Sequence, residues 1–180
     1  MNRQKIRENA DRILYEFGLL DMLRPLGKPH IIGSCRMDMM AWNDLDIDIE
    51  NDGMDLDKLY QLTAGILKVF HPTWYEAKEE HTPEGKTVWF HGFEFVLNGE
   101  LWNVDLWFFD QKTIQSAEAY CDSIARTTSA AQKEQIVLIK QGLIKRELYS
   151  FDKFHSMDVY RAVLDMDIHT IDEFLERYPK

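Results

Sequence analysis

The run Leu45-Asp46-Ile47-Asp48-Ile49-Glu50 alternates without a break. Leu45, Ile47 and Ile49 fall on one side, and Asp46, Asp48 and Glu50 on the other. A period of two belongs to a strand with one face in a core. Upstream, His30-Ile31-Ile32-Gly33 is a short apolar run that ends in a Gly-Ser turn, so it reads as a buried strand followed by a short helix over 34–42. Downstream, Asn51-Asp52-Gly53 reads as a turn, and Leu56, Leu59, Leu62, Ile66, Val69 and Phe70 have the spacing of one helical face.

Further out, 73–81 reads as a strand closed by the turn Pro83-Glu84-Gly85-Lys86. Segments 87–97 and 100–108 flank Asn98-Gly99, the pair that two-residue hairpin turns favour because both positions need positive φ. The middle of the chain is thus expected to be a largely antiparallel meander. Residues 4–23 carry Ile6, Ile13, Leu14, Phe17 and Leu20 at helical spacing, ended by Pro25, Gly27 and Pro29. Beyond Asp110 the apolar stripes are helical, with Ser129/Gln132 and Thr170/Glu173 spaced as capping boxes and Ser156 as a further cap. The expected class is α+β, a mixed and largely antiparallel sheet with flanking helices. Residues 1–110 would form the core and 111–180 a helical extension packed on it.

The chain has 180 residues, 45% of them hydrophobic, enough for a sizeable core. No apolar run reaches the roughly 18 residues of a membrane span, so no membrane partner is expected. The start, Met-Asn-Arg-Gln-Lys, continues as a charged amphipathic stretch unlike a signal peptide. Two cysteines far apart, Cys35 and Cys121, fit a reducing cytoplasm. A formal net charge of −10 argues against nucleic acid, whose phosphates are held by Lys and Arg, and favours a metal site or a cationic small molecule.

Three features carry the chemistry. Gly33 allows close backbone approach, and Ser34 stands at a helix start where free N–H groups can cradle phosphate. Asp46 and Asp48 project from one strand face roughly 6–7 Å apart. That spacing suits two hard cations on the order of 4 Å apart. Asp105, in Trp102-Asn103-Val104-Asp105-Leu106-Trp107, can turn away from the core while Val104 and Leu106 face it, adding a third carboxylate.

The ordered pattern Ile32-Gly33-Ser34, eleven residues, Asp46-Ile47-Asp48-Ile49 and a distal strand Asp105 resembles the nucleotidyltransferase superfamily, over about the first 110 residues. The resemblance implies in-line attack on the α-phosphate of an NTP, with ATP the expected donor of AMP and pyrophosphate leaving. Asp46, Asp48 and Asp105 would hold two Mg²⁺, and Asp105 would serve as metal ligand or general base. Gly33 and Ser34 would hold the β- and γ-phosphates, with Arg36, Lys133 and Lys140 as candidate basic grips. The acceptor is expected to be a hydroxyl of a small molecule or protein, as in the antibiotic-modifying branch, with no nucleic acid; a homodimer through the helical extension is a further expectation. A polymerase suits the fold but not the charge. The alternative is a non-catalytic member that binds nucleotide or a partner through the same fold.

Other clusters fail on spacing. A calcium loop begun at Asp48 places Leu59 where a bidentate Glu is needed. The six histidines are dispersed, and Cys35 has no histidine context for nucleophilic work. Trp74, Trp89, Trp102 and Trp107, with Phe90, Phe93 and Phe95, read as sheet core or cross-strand pairs, with one ring free to stack on a base or sugar.

Overall fold

The computed structural model describes residues 3–51, 53–82, 84–150 and 152–178. Asp52 and Pro83, members of two expected turns, lie outside the described residues. In chain order the elements are α1 (Arg3–Asp11), a π-helical turn (Arg12–Glu16), α2 (Leu19–Leu23), β1 (Lys28–Ile31), α3 (Gly33–Arg36) and β2 (Asp44–Glu50). Then follow α4 (Leu56–Phe70), β3 (Trp74–His81), β4 (Thr87–Leu97), β5 (Glu100–Phe109), α5 (Gln111–Thr127), α6 (Ala130–Lys145), α7 (Ser156–Asp165) and α8 (Ile171–Arg177).

The five strands form one sheet in the order β1-β2-β5-β4-β3. The hairpin at Asn98-Gly99 forms as expected, with φ of 55° and 79° at its two turn residues. β3, β4 and β5 make an antiparallel meander, while β2 joins β5 in parallel. That parallel pairing makes the sheet mixed. It also sets Asp46 directly beside Asp105 and Asp44 beside Asn103.

Two departures from the expected elements have local causes. The first helix is not continuous over 4–23, because Gly18 takes φ of 73° and breaks it after a wide π turn. Helix 34–42 shrinks to α3: Asp38 adopts φ of 56°, and Met37, Met39 and Ala41 leave helical register to bury themselves. Ser156 is the first residue of α7, and His155 is its cap.

Two apolar cores form. The first holds Ile6, Leu14, Leu23, Ile47, Ile66, Phe93, Trp102, Val104 and Leu106, between the sheet and α1, α2 and α4. The second gathers Ile136, Val137, Ile139, Leu143, Phe154, Val159, Val163 and Phe174 from the C-terminal helices, with Met37, Met39 and Ala41 from the α3–β2 segment. That segment ties the helical layer to the end of β2 where the acidic residues stand. Ser129 caps α6 in a complete capping box with Gln132. Ser129→Ala is expected to lower stability by about 1 kcal/mol, or roughly 2–4 °C in melting temperature, checked by thermal denaturation.

Candidate active site

Leu45, Ile47 and Ile49 are fully buried in the first core, so the pleat turns the alternate side chains of β2 to the opposite face. Val104 and Leu106 do the same for β5 and leave Asp105 on that face. Asp44, Asp46 and Asp105 then bring carboxylate oxygens within 4.8 Å of one another.

Asp48, expected in this group, is not part of it. It lies deeper along β2, only 2% exposed, opposite His30 of β1 and near Glu118 of α5. Burial pushes its carboxyl up to about 7, with His30 pulling the other way. Three alternate aspartates share one strand face, and Asp44 and Asp46, not Asp46 and Asp48, are the two that converge with Asp105. The intervening stretch after Gly33-Ser34 is accordingly nine residues, Cys35 to Asn43.

Gly33 packs against this group. Its φ is +60°, and a methyl added to it would overlap the Asp46 carboxylate. Both the backbone conformation and the contact demand glycine. Gly33→Ala is expected to displace Asp46 and weaken Mn²⁺ binding at this group at least about tenfold, measured by titration. Ser34 is buried beside it.

The other basic candidates separate clearly. Lys140 of α6 is 2% exposed, with its ammonium 5.5 Å from the Tyr149 ring centre and 5.6 Å from that of Tyr160. It lines a cavity of about 250 Å³ with Gly33, Ser34, Asp44 and Asp46. Lys133 lines none of the described cavities with these acids. Arg36 is committed elsewhere, since its guanidinium grips Asp122 at 2.7 and 3.0 Å and Glu118 at 2.8 Å. It staples α3 to α5.

The electrostatics of the group are those of crowded, buried carboxylates. Burial, then Asp44 and Asp105, raise the Asp46 carboxyl well above the usual carboxylate range. Asp44 is raised by burial, and Asp105 goes up to about 6 through burial and Asp44. Lys140 is lowered by burial, against the pull of Asp44 and Asp46. One buried ammonium facing three carboxylates leaves negative charge uncompensated, and an all-oxygen donor set fits a hard divalent cation such as Mg²⁺.

Asp105 binds its proton more tightly folded than unfolded, so its contribution falls as pH rises from the ordinary carboxylate range through about 6. Asp46 acts in the same direction. Mg²⁺ or Mn²⁺ is therefore expected to raise the melting temperature more at pH 8 than at pH 5, measured by thermal shift. An equal rise at both pH values would count against these carboxylates as ligands.

A cleft of about 570 Å³ opens above the group, walled by Trp42, Asn103, Tyr149, Ser150, His155 and Met157. Sequence reasoning missed Asp44 and the wall of Tyr149, Ser150, His155, Ser156 and Met157. Asp44 was within reach, because the strand alternation extends one step before Leu45. The wall comes from the α6–α7 connection and the start of α7, brought over the sheet by tertiary packing for which the sequence carries no local signal.

Solved structures share this fold. A cytoplasmic RNA terminal U-transferase matches 93% of this chain and 50% of its own at 18% identity, with a TM-score of 0.58. Cid1 poly(U) polymerase, solved with MgGTP, matches 93% of this chain and 52% of its own at 16% identity and a TM-score of 0.61. The non-canonical poly(A) polymerase of the GLD-2–GLD-3 complex matches 100% and 61% at 15% identity and a TM-score of 0.54. The chain thus spans about half the length of the first two and 61% of the third. No family model and no curated protein matches the sequence. The chain has the nucleotidyltransferase fold, as the sequence pattern implied. The expectation that charge excludes nucleic acid is corrected here: the structures with this fold are an RNA terminal U-transferase, a poly(U) polymerase and a poly(A) polymerase. Net charge is a sum over the whole surface and carries no information on what a local cleft accepts.

Proposed function

We propose that this chain carries out metal-dependent nucleotidyl transfer from an NTP to the 3′-hydroxyl of an RNA. The observation that carries the reading is the convergence of Asp44, Asp46 and Asp105 in a cleft that shares Asp44 and Asp46 with a smaller cavity lined by Gly33, Ser34 and the buried Lys140. The RNA acceptor is supported by the poly(U) and poly(A) polymerases with which the fold is shared. Residues 1–110 are read as the catalytic unit, with the helices of 111–180 closing the cleft over the nucleotide.

In this reading Asp44, Asp46 and Asp105 hold two Mg²⁺. Such ions would neutralise charge on the triphosphate and acidify the attacking hydroxyl. Lys140 gives the β- and γ-phosphates a cation that is already desolvated, so little solvent reorganisation is left for the reaction step. Gly33 keeps the turn close against Asp46, so that Ser34 and its backbone can reach the phosphates from beside the metal ligands. Asp105, which also lines the neighbouring groove, would orient the acceptor hydroxyl in line with the α-phosphate. Tyr149, whose hydroxyl sits 2.6 Å from Ser156 Oγ, and His155 offer a wall to the nucleoside. ATP is the proposed donor. The free, buried Cys35 and Cys121 suit a reducing, cytoplasmic setting.

The test is transfer of an α-labelled NTP, with pyrophosphate release, to an RNA ending in a 3′-hydroxyl and to the same RNA ending in a 3′-deoxy residue. Labelling of the first alone is expected. Label appearing instead on aminoglycosides, lincosamides or a protein would overturn the RNA reading. Mg·NTP binding without pyrophosphate release over the whole panel would favour a non-catalytic, nucleotide-binding role.

A further inference from the structure

A second groove, of about 500 Å³, runs from Asp105 across the same sheet face over β4 and β3. The strand registers give its plan. Asp46 lies beside Asp105, Asp105 beside Gly92, and Gly92 beside Glu76. On one side runs the row Asn103, Glu94, Trp74, and on the other the row Trp107, Phe90, Lys78.

Gly92 is the gap in this plan. A methyl there would lie 2.6 Å from Phe90 and 3.0 Å from Trp74, because both rings lean over the position where a side chain would stand. The groove next to the acidic group therefore has an aromatic floor. Phe90 packs on Trp107 at 4.6 Å, and Trp107 stacks on Phe109 at 5.6 Å, which holds the floor rigid. Trp74 is 43% exposed and stands at the open edge.

The charged groups lining the groove are Asp105, Glu94, Glu76 and Lys78, whose ammonium lies 5.5 Å from the Phe90 ring centre. Glu94 makes no side-chain hydrogen bond or ion pair among the described residues, yet acts on Asp105 through space. Glu76 shares Lys78 with Glu80, at 3.3 and 2.7 Å. Carboxylates beside an aromatic floor repel phosphate and accept from N–H donors. A flat ring with an amino edge is the complement of this surface.

We infer that this groove seats the terminal base of the acceptor strand, stacked on the exposed Trp74, with Glu94 and Glu76 accepting from its exocyclic amino group. The inference rests on the RNA-acceptor reading and adds a selection among 3′ ends. The strand's phosphates leave the groove away from the two glutamates, so one nucleoside is read and the remainder of the strand is not. Adenine and cytosine present the amino edge that a carboxylate accepts; uracil presents a carbonyl in its place.

The test compares short RNAs identical except for a terminal A, C or U, as acceptors for the full-length wild-type protein and for Glu94→Gln, Trp74→Ala and Trp74→Phe. For the wild type, acceptor KM is expected to be about tenfold lower for terminal A or C than for terminal U. Glu94→Gln should remove that preference. Trp74→Ala should raise acceptor KM about tenfold for every end, and Trp74→Phe should restore it, with the KM for NTP unchanged throughout. The unchanged NTP value shows that the variants are folded. Transfer to RNA with equal KM for all ends, or with KM unmoved in Glu94→Gln and Trp74→Ala, overturns this assignment alone. No transfer to any RNA overturns it together with the reading on which it rests.

Discussion

Asp46→Asn is expected to reduce nucleotidyl transfer by roughly 10³-fold, the upper end for loss of one charge-stabilising group. Asp44→Asn and Asp105→Asn should lose comparable activity, because the three carboxylates act on the same cations and their effects are not additive. Asp48→Asn should retain activity within about fivefold, since its carboxyl lies outside the group and faces His30 and Glu118. Stability should move the other way. Folding raises the Asp46 proton affinity, so the charged form is disfavoured in the folded chain. Without metal, Asp46→Asn should melt higher than wild type at pH 8, and the gain should shrink towards pH 5. Steady-state assays and thermal melts check both halves. A variant less active and less stable at every pH would point to a structural role instead.

The second large effect belongs to Lys140. Lys140→Met keeps the apolar stem among its packed neighbours and removes the ammonium that Tyr149 and Tyr160 flank. A charge-assisted contact to the triphosphate contributes about 1.5–3 kcal/mol, so the KM for NTP should rise roughly 10- to 150-fold. Lys133→Met, two turns earlier on the same helix, should change it less than about twofold. Equal effects from the two lysines would contradict the position assigned to Lys140.

Much of the fold was legible because local rules and tertiary packing agree in it. Asn98-Gly99 needs positive φ at both residues and forms its turn, and the alternation at Leu45, Ile47 and Ile49 is the core face of β2. Val104 and Leu106 bury themselves and leave Asp105 outward, as alternation requires. The choice among Asp44, Asp46 and Asp48 was not legible, since all three share one face. It depends on the parallel register of β2 with β5 and on where the Gly33 turn meets β2. Lys133 and Lys140, seven residues apart, also lie on one side of a helix. Only the docking of α6 separates them. Arg36 followed the Gly-Ser turn closely enough to suggest phosphate, but Asp122 and Glu118 on α5 hold it. The acidic composition pointed away from nucleic acid, yet Lys140 contributes one positive charge at the cavity where it counts and is invisible in a net charge of −10.

The measurement closest to the central claim is Mn²⁺ binding, followed by electron paramagnetic resonance, to the wild type and to Asp44→Asn, Asp46→Asn, Asp48→Asn and Asp105→Asn. Binding should weaken at least about tenfold in the variants at 44, 46 and 105 and persist in Asp48→Asn. Loss of binding in Asp48→Asn with retention in Asp44→Asn would contradict the site described here.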